Sequence, residues 1–227
     1  LGPGWEIAAL CRPARHVGGD FFTELPARGN GSQAVVYGDV AGKSVSGALM
    51  MMAAHEVLHS LALTHRDPGE LLHLANQRLY SLSRGRKSFV ALAYLVASPS
   101  GDGLQYFLAG QPQPLHRSGD GRVRELTLPH SRLPLGALIP TSYDISHTPM
   151  AGGDLLLGYS DGVVEAQSPT GELFGLERLV EVVEAQHDGP QQLVDAVSQA
   201  LDEFTLGTEP YDDVTLVAIR RDTEATP

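Results

Sequence analysis

Two kinds of hydrophobic patterning alternate along the chain. Short apolar runs rich in β-branched and aromatic residues predict strands over 5–10, 33–37, 88–96, 104–108, 123–128, 154–159 and 214–220. Pro99-Ser100-Gly101-Asp102-Gly103 and Ser118-Gly119-Asp120-Gly121 are placed as hairpin connections, which favours antiparallel meanders over βαβ units. Apolar residues recurring every three or four positions predict helices. One covers 46–64, apolar nearly all round, with Leu49, Ala53, Val57 and Leu61 on one stripe. A second opens at Asp67-Pro68-Gly69-Glu70, a capping-box pattern with Pro in the first turn, and carries Leu71, Leu74, Leu79 and Leu82. A third shows Leu176, Leu179, Val180 and Val183. A fourth starts at 188–191, carries Val194, Val197, Leu201 and Phe204, and ends at Gly207. The helices thus come in two pairs, with strands between and after them. With no internal repeat or long linker, the economical reading is a single α+β domain over 1–227, its core about 5–220.

Composition narrows the function. Twenty-seven Asp and Glu against 16 Lys and Arg give a formal charge of −11, which argues against a nucleic-acid partner. The one compact basic run, Arg84, Arg86 and Lys87, reads as a solvated loop. A single cysteine, Cys11, excludes an internal disulfide framework, suits the reducing cytoplasm, and reads as a small buried apolar residue. No apolar run approaches the roughly 20 residues that span a bilayer, and no signal-peptide pattern opens the chain. Because it starts at Leu1 rather than Met, the chain is expected to be a piece of a longer one.

Acidic residues recur at the ends of predicted strands, three times beside glycine: Gly18-Gly19-Asp20, Gly38-Asp39-Val40, Ser160-Asp161-Gly162 and Asp212-Asp213-Val214. Asp beside Gly is ordinary turn chemistry at any one site. Four such sites are harder to assign to turns alone. Carboxylates at strand termini can converge at a sheet edge, where they repel one another unless cations fill the space. Hard divalent ions such as Mg²⁺ and Mn²⁺ take such oxygen ligands, and a pair of them activates water for in-line attack on phosphorus.

These segments resemble a family. Val17-Gly18-Gly19-Asp20-Phe21-Phe22, Tyr37-Gly38-Asp39-Val40-Ala41-Gly42-Lys43 and Gly47-Ala48-Leu49-Met50-Met51 look like the opening of the bacterial branch of the PPM-type, protein phosphatase 2C-like serine/threonine phosphatases, the catalytic domains of sporulation and stress-response regulators. The order continues through Phe89-Val90-Ala91-Leu92, Leu108-Ala109-Gly110, Leu133-Pro134-Leu135-Gly136, Tyr159-Ser160-Asp161-Gly162-Val163-Val164-Glu165-Ala166, Phe174-Gly175 and Asp212-Asp213-Val214-Thr215-Leu216. The resemblance implies a four-layer α-β-β-α sandwich, two antiparallel sheets face to face with a helix pair outside each. It implies two Mn²⁺ or Mg²⁺ ions, with Asp39 as the bridging ligand and the Val40 carbonyl as the backbone ligand after it. Asp161 and Asp212 match further metal carboxylates, and Asp20 an acid that holds metal-bound water, so Asp20 and Asp39 are the expected catalytic acids. Asp213 stays open, since relatives often carry Asn there. The implied substrate is a phosphoserine or phosphothreonine protein, an anti-sigma antagonist, with a sensor domain N-terminal to this chain; a homodimer is compatible with that organisation.

The sequence departs from the family pattern at Gln111 (often His), Ala91 (Thr), Phe22 (Tyr) and Ser44 (Gly), and Ala41 stands where the eukaryotic branch has a His proposed as general acid. A non-catalytic phosphoprotein-binding switch module of the same fold is the alternative; the intact carboxylates favour the enzyme. A third reading rests on His55-Glu56-Val57-Leu58-His59, a literal H-E-x-x-H zinc-protease motif on a predicted helix. Its extended pattern fails at Ala62 and His65, and packing accounts for the helix. Gly42-Lys43-Ser44 lacks the spacing of a phosphate-cradling loop. Lys43, Arg12 and Arg15 are candidates for substrate phosphate but read more readily as exposed cations, and Met50, Met51 and Met52 read as core filling.

Overall fold

The computed structural model describes residues 1–14, 18–27, 33–40, 45–83, 88–128, 133–139, 143, 145–185, 188–208 and 210–223. In chain order the strands are β1 (Trp5–Arg12), β2 (Phe21–Pro26), β3 (Gln33–Val40), β4 (Val90–Ala97), β5 (Gly103–Ala109), β6 (Leu115–Arg117), β7 (Val123–Glu125), β8 (Ser146–Pro149), β9 (Leu155–Tyr159) and β10 (Val214–Arg221). The helices are α1 (Val45–Ala62), α2 (Pro68–Leu82), α3 (Asp161–Val164), α4 (Gly175–Ala185) and α5 (Pro190–Thr205). They fall into two compact units: Leu1–Pro3, Val17–Gln111 and Leu128–Pro149 form the first, and Gly4–His16, Pro112–Thr127 and Met150–Pro227 the second.

The first unit is an antiparallel sheet in the order β2-β3-β4-β5-β8 with α1 and α2 packed on it. Pro99-Ser100-Gly101-Asp102-Gly103 closes the β4–β5 hairpin as expected. Phe21, Leu25, Ala34, Val36, Leu92, Tyr94 and Phe107 project from the sheet into one core with Met50, Ala54, Leu58 and Leu61 of α1. That stripe keeps Leu61 but otherwise differs from the expected one: Leu49 is 67% exposed and Ala53 and Val57 are half-buried, so Met50, Ala54 and Leu58, each one position further along, take the core places. A helix with apolar residues on nearly every side has only a weak polar face to fix its rotation, and the choice falls to the sheet it meets. Met52 likewise faces outward, leaving only Met50 and Met51 packed. In α2, Asp67 caps the helix through the Glu70 N–H at 2.9 Å. Its buried face includes Asn76, which donates to the Leu138 carbonyl (3.0 Å) and accepts from the Gly136 N–H (2.7 Å), tying down the Leu133-Pro134-Leu135-Gly136 segment. Leu82 is exposed.

The second unit is an antiparallel sheet in the order β1-β10-β9-β6-β7 with α4 and α5 against it. Leu179, Val183, Leu193, Val194, Val197 and Leu201 meet Leu115, Leu157, Leu216 and Ala218. Ser118-Gly119-Asp120-Gly121 is a hairpin turn, between β6 and β7. The fourth helix ends one residue before the glycine: Leu206 takes the left-handed conformation (φ 48°) and Gly207 follows at φ 76°. Cys11 corrects its expectation, since it is exposed on β1, where it accepts from the Thr215 hydroxyl at 3.4 Å.

Four elements carry no signal in the hydrophobic pattern. β2 mixes polar residues with a proline, β6 is three residues long, β8 is Ser-His-Thr-Pro, and α3 is a single turn. Each is held by pairing or capping with a neighbour rather than by its own periodicity. Among the described residues no helix is long and apolar enough to cross a membrane.

Candidate functional site

In the first unit, β3 delivers Asp39 and Val40 to its C-terminal end, where they pair with Ala91 and Val90. The Val40 N–H donates to the Gly19 carbonyl at 3.3 Å and draws the segment before β2 across the end of β3. Gly19 is required there. A Cβ at this position would lie 2.8 Å from Asp39 Oδ1 and 2.8 Å from the Val40 carbonyl oxygen, inside van der Waals contact of both. A carboxylate oxygen and a backbone carbonyl oxygen therefore border one small space that a glycine leaves open. These are the donor types that Mg²⁺ and Mn²⁺ take. Asp20, the next residue, is buried at 8% exposure, and Phe21 enters the core beside it.

In the second unit, β9 ends at Tyr159-Ser160 and α3 begins at Asp161. Ser160 laces this corner to the start of β10. Its N–H donates to the Thr215 carbonyl (3.0 Å), its hydroxyl donates to the Asp213 carbonyl (3.2 Å), and it accepts from the Thr215 N–H (2.9 Å). Gly162 permits the approach, since a side chain there would collide with the Asp213 carbonyl and lie 3.3 Å from the Asp212 Cβ. Asp161, which is exposed, and Asp212, half-buried, are thus set on adjoining turns. Burial, with the Glu125 charge adding to it, pushes the neighbouring Tyr159 phenol up to about 12, so it stays neutral.

The two acids of Asp212-Asp213 separate by role. Asp213 is buried, and its Oδ1 accepts from the Ala14 N–H at 2.7 Å, anchoring the chain just beyond β1. Asp212 Oδ1 accepts from the Asp213 N–H at 3.0 Å, which fixes its side chain over the turn. The sequence left Asp213 open; its geometry makes it a support for the turn. Ser160 was quoted in the sequence motif without a role; it stands at the N-cap position of α3, but its hydroxyl bonds to Asp213 and Thr215 and does not cap the helix.

Two of the departures touch. The buried Gln111 carboxamide donates to the Ala91 carbonyl at 3.3 Å, so the residues that replace His and Thr form their own contact. Phe22 pairs with Tyr37 across β2 and β3. Arg12 is committed to Asp202 at 2.7 Å. Arg15, Ala41, Lys43, Ser44, Arg84, Arg86 and Lys87 lie outside the described residues.

The H-E-x-x-H segment lies on α1, where His55 Nε2 is 3.0 Å from the Thr23 hydroxyl and the His55 and His59 rings are nearly parallel with centroids 6.2 Å apart. Within either unit, among the described residues, no three His, Cys, Asp or Glu side chains form a group that could hold a metal ion. The histidine pair therefore lacks a third ligand, and in the first unit Asp39 and the Val40 carbonyl supply only part of any coordination shell.

Two antiparallel five-stranded sheets plus helices is the fold of PP2C-type phosphatase domains. The SiaA-PP2C domain of Pseudomonas aeruginosa matches with a TM-score of 0.82 at 23% identity, covering 95% of this chain and 86% of that one. The catalytic domain of the serine/threonine protein phosphatase PstP, solved in complex with two manganese ions, matches with a TM-score of 0.67 at 15% identity over 96% of this chain and 94% of that one. The chain itself belongs to the stage II sporulation protein E family, whose model matches residues 29–222. Two curated relatives agree: protein IcfG of Synechocystis is 28% identical over 245 residues, and the phosphoserine phosphatase RsbU of Bacillus subtilis 26% identical over 222 residues. These alignments cover 96% and 95% of this chain but only 38% and 63% of the relatives, so the chain spans less than two thirds of the length of either. Membership in this family replaces the zinc-protease reading of α1.

Proposed function

We propose that this chain is a single catalytic domain that hydrolyses phosphoserine or phosphothreonine in a protein substrate, using two divalent ions, Mn²⁺ or Mg²⁺. The observation that carries the reading is the space at Gly19 bordered by Asp39 Oδ1 and the Val40 carbonyl. It joins the carboxylate and the backbone oxygen that the family resemblance pairs as ligands. Asp39, the Val40 carbonyl, Asp161 and Asp212 would hold the ions, and Asp20 would hold water beside them. When bound, such ions neutralise phosphate charge and make a nucleophile of water at neutral pH. The protein's part is to hold these oxygens in place. The Val40 N–H bond to Gly19 sets the spacing of Asp39, and Ser160 and Asp213 fix the corner that carries Asp161 and Asp212.

The relatives named for sporulation and for RsbU support a phosphorylated anti-sigma antagonist as substrate and a sensor region outside this chain. A chain with one cysteine suits the cytoplasm in which such a circuit runs. A binding module with no turnover would have no use for a glycine-opened oxygen pair beside intact carboxylates. The test is Mn²⁺-dependent release of phosphate from a phosphoserine peptide: turnover that needs the metal supports the reading, and a folded protein inert at every Mn²⁺ and Mg²⁺ concentration overturns it.

A further inference from the structure

The second unit contains a cavity of about 280 Å³ between the C-terminal turn of α5, residues 207, 208, 210 and 211, α3 and the end of β1. Its walls include apolar atoms of Ala166, Leu201, Tyr211 and Val214, and the Arg12–Asp202 ion pair stands in the lining. At the lower limit of small-molecule pockets, this volume suits one large side chain better than a whole ligand.

The lining connects the cavity to the reaction. Gly162 and Asp212 both line it, so it begins at the residue beside Asp161 and at Asp212 itself. Asp202 holds the Arg12 guanidinium through NH1 and already neutralises it, so the cavity offers no net attraction to an acidic residue.

We infer that this cavity is a specificity pocket that takes an aliphatic or aromatic side chain from the substrate segment flanking the phosphorylated residue. The inference rests on the phosphatase reading above. Each residue of extended chain advances roughly 3.3–3.6 Å. A phosphoresidue at Asp161 and Asp212 therefore places a neighbour one or two positions away at the cavity, and its apolar side chain displaces water from Leu201 and Val214. The pocket discriminates among phosphoproteins by the residue beside the phosphate.

The experiment compares kcat/KM, with Mn²⁺, for phosphoserine peptides flanked on both sides by Leu, by Ala or by Asp, and for para-nitrophenyl phosphate, which has no flanking residue. The wild-type protein is expected to prefer the Leu peptide over the Asp peptide by about tenfold or more. Ala166→Trp fills the cavity and is expected to lower kcat/KM on the Leu peptide by a similar factor, mainly through KM, while leaving the aryl phosphate unchanged. Thr205→Trp, at a half-exposed lining position, gives the same test if Ala166→Trp does not fold. Equal rates on the three peptides, or filling variants that change peptide and aryl phosphate alike or neither, overturn the pocket and leave the phosphatase reading standing. Absence of turnover on every substrate overturns the phosphatase reading and the pocket with it.

Discussion

Gly19 and Asp39 lie so close that a methyl group on the glycine would stand 2.8 Å from the aspartate Oδ1, and equally close to the Val40 carbonyl. The contact cannot be relieved cheaply, because Val40 is held in the β3–β4 ladder and bonded through its N–H to Gly19. Gly19→Ala must therefore push one of the two oxygens out of place. Displaced supports of a metal site typically weaken metal affinity by about 10–100-fold. A Mn²⁺ titration of phosphatase activity, paired with calorimetric metal binding, should show that loss with the far-ultraviolet circular dichroism unchanged. Wild-type affinity in Gly19→Ala would contradict the assignment of this space to a metal.

The rotation of α1 is the second test. Leu58 is fully buried against the sheet and Leu49 is 67% exposed, although the sequence placed Leu49 on the core stripe. Leu58→Ala should cost about 2–5 kcal/mol of unfolding free energy, the usual range for a buried leucine. Leu49→Ala should stay within about 0.5 kcal/mol of wild type. Urea unfolding of the two variants separates the registers, and equal losses would mean that the helix is turned as the sequence alone suggested.

What could be read in advance followed the physics of each signal. The long apolar strands and the capped or amphipathic helices carry their own periodicity, so β3, β4, β10, α2, α4 and α5 lie within a few residues of their expected places. β8 and α3 do not, since four residues such as Ser-His-Thr-Pro become a strand only by pairing with β5. The acids Asp20, Asp39, Asp161 and Asp212 stood out because they recur at strand ends, the first three beside glycines. Their supports did not: Ser160 and the Ala14 N–H reach their partners across 53 and 199 residues of chain, a distance no local pattern records. The aspartate pair 212–213 shows the same limit, for the bond that Asp213 accepts from Ala14 links residues 199 apart.

A buried pair in the second unit makes stability depend on pH. His116 Nε2 is 3.0 Å from Asp154 Oδ2, and Arg124 approaches Nδ1 at 2.9 Å, so the imidazole donates to the carboxylate and accepts from the guanidinium while neutral. Burial holds its pKa below the ordinary 6.5; the Asp154 bond opposes this and the Arg124 charge adds to it. The unfolded chain thus takes up a proton near pH 6.5 that the folded unit refuses. The stability involved is complete above that pH and is lost as pH falls below it toward the lowered folded value. Between about pH 7.5 and 5.5 the melting temperature of the wild type should fall more than that of His116→Gln, which keeps a donor for Asp154 and cannot titrate. Equal slopes would contradict the neutral imidazole.

The most direct test of the central claim is Asp39→Asn. The substitution keeps the shape of the side chain and removes the charge that the account assigns to the bridging ligand. Phosphate release from a phosphoserine peptide, measured across a Mn²⁺ titration, should fall by about 100-fold or more in the variant, consistent with several kcal/mol of lost metal-borne charge stabilisation. Turnover that matches the wild type at every Mn²⁺ concentration would contradict the claim that Asp39 holds the catalytic metals.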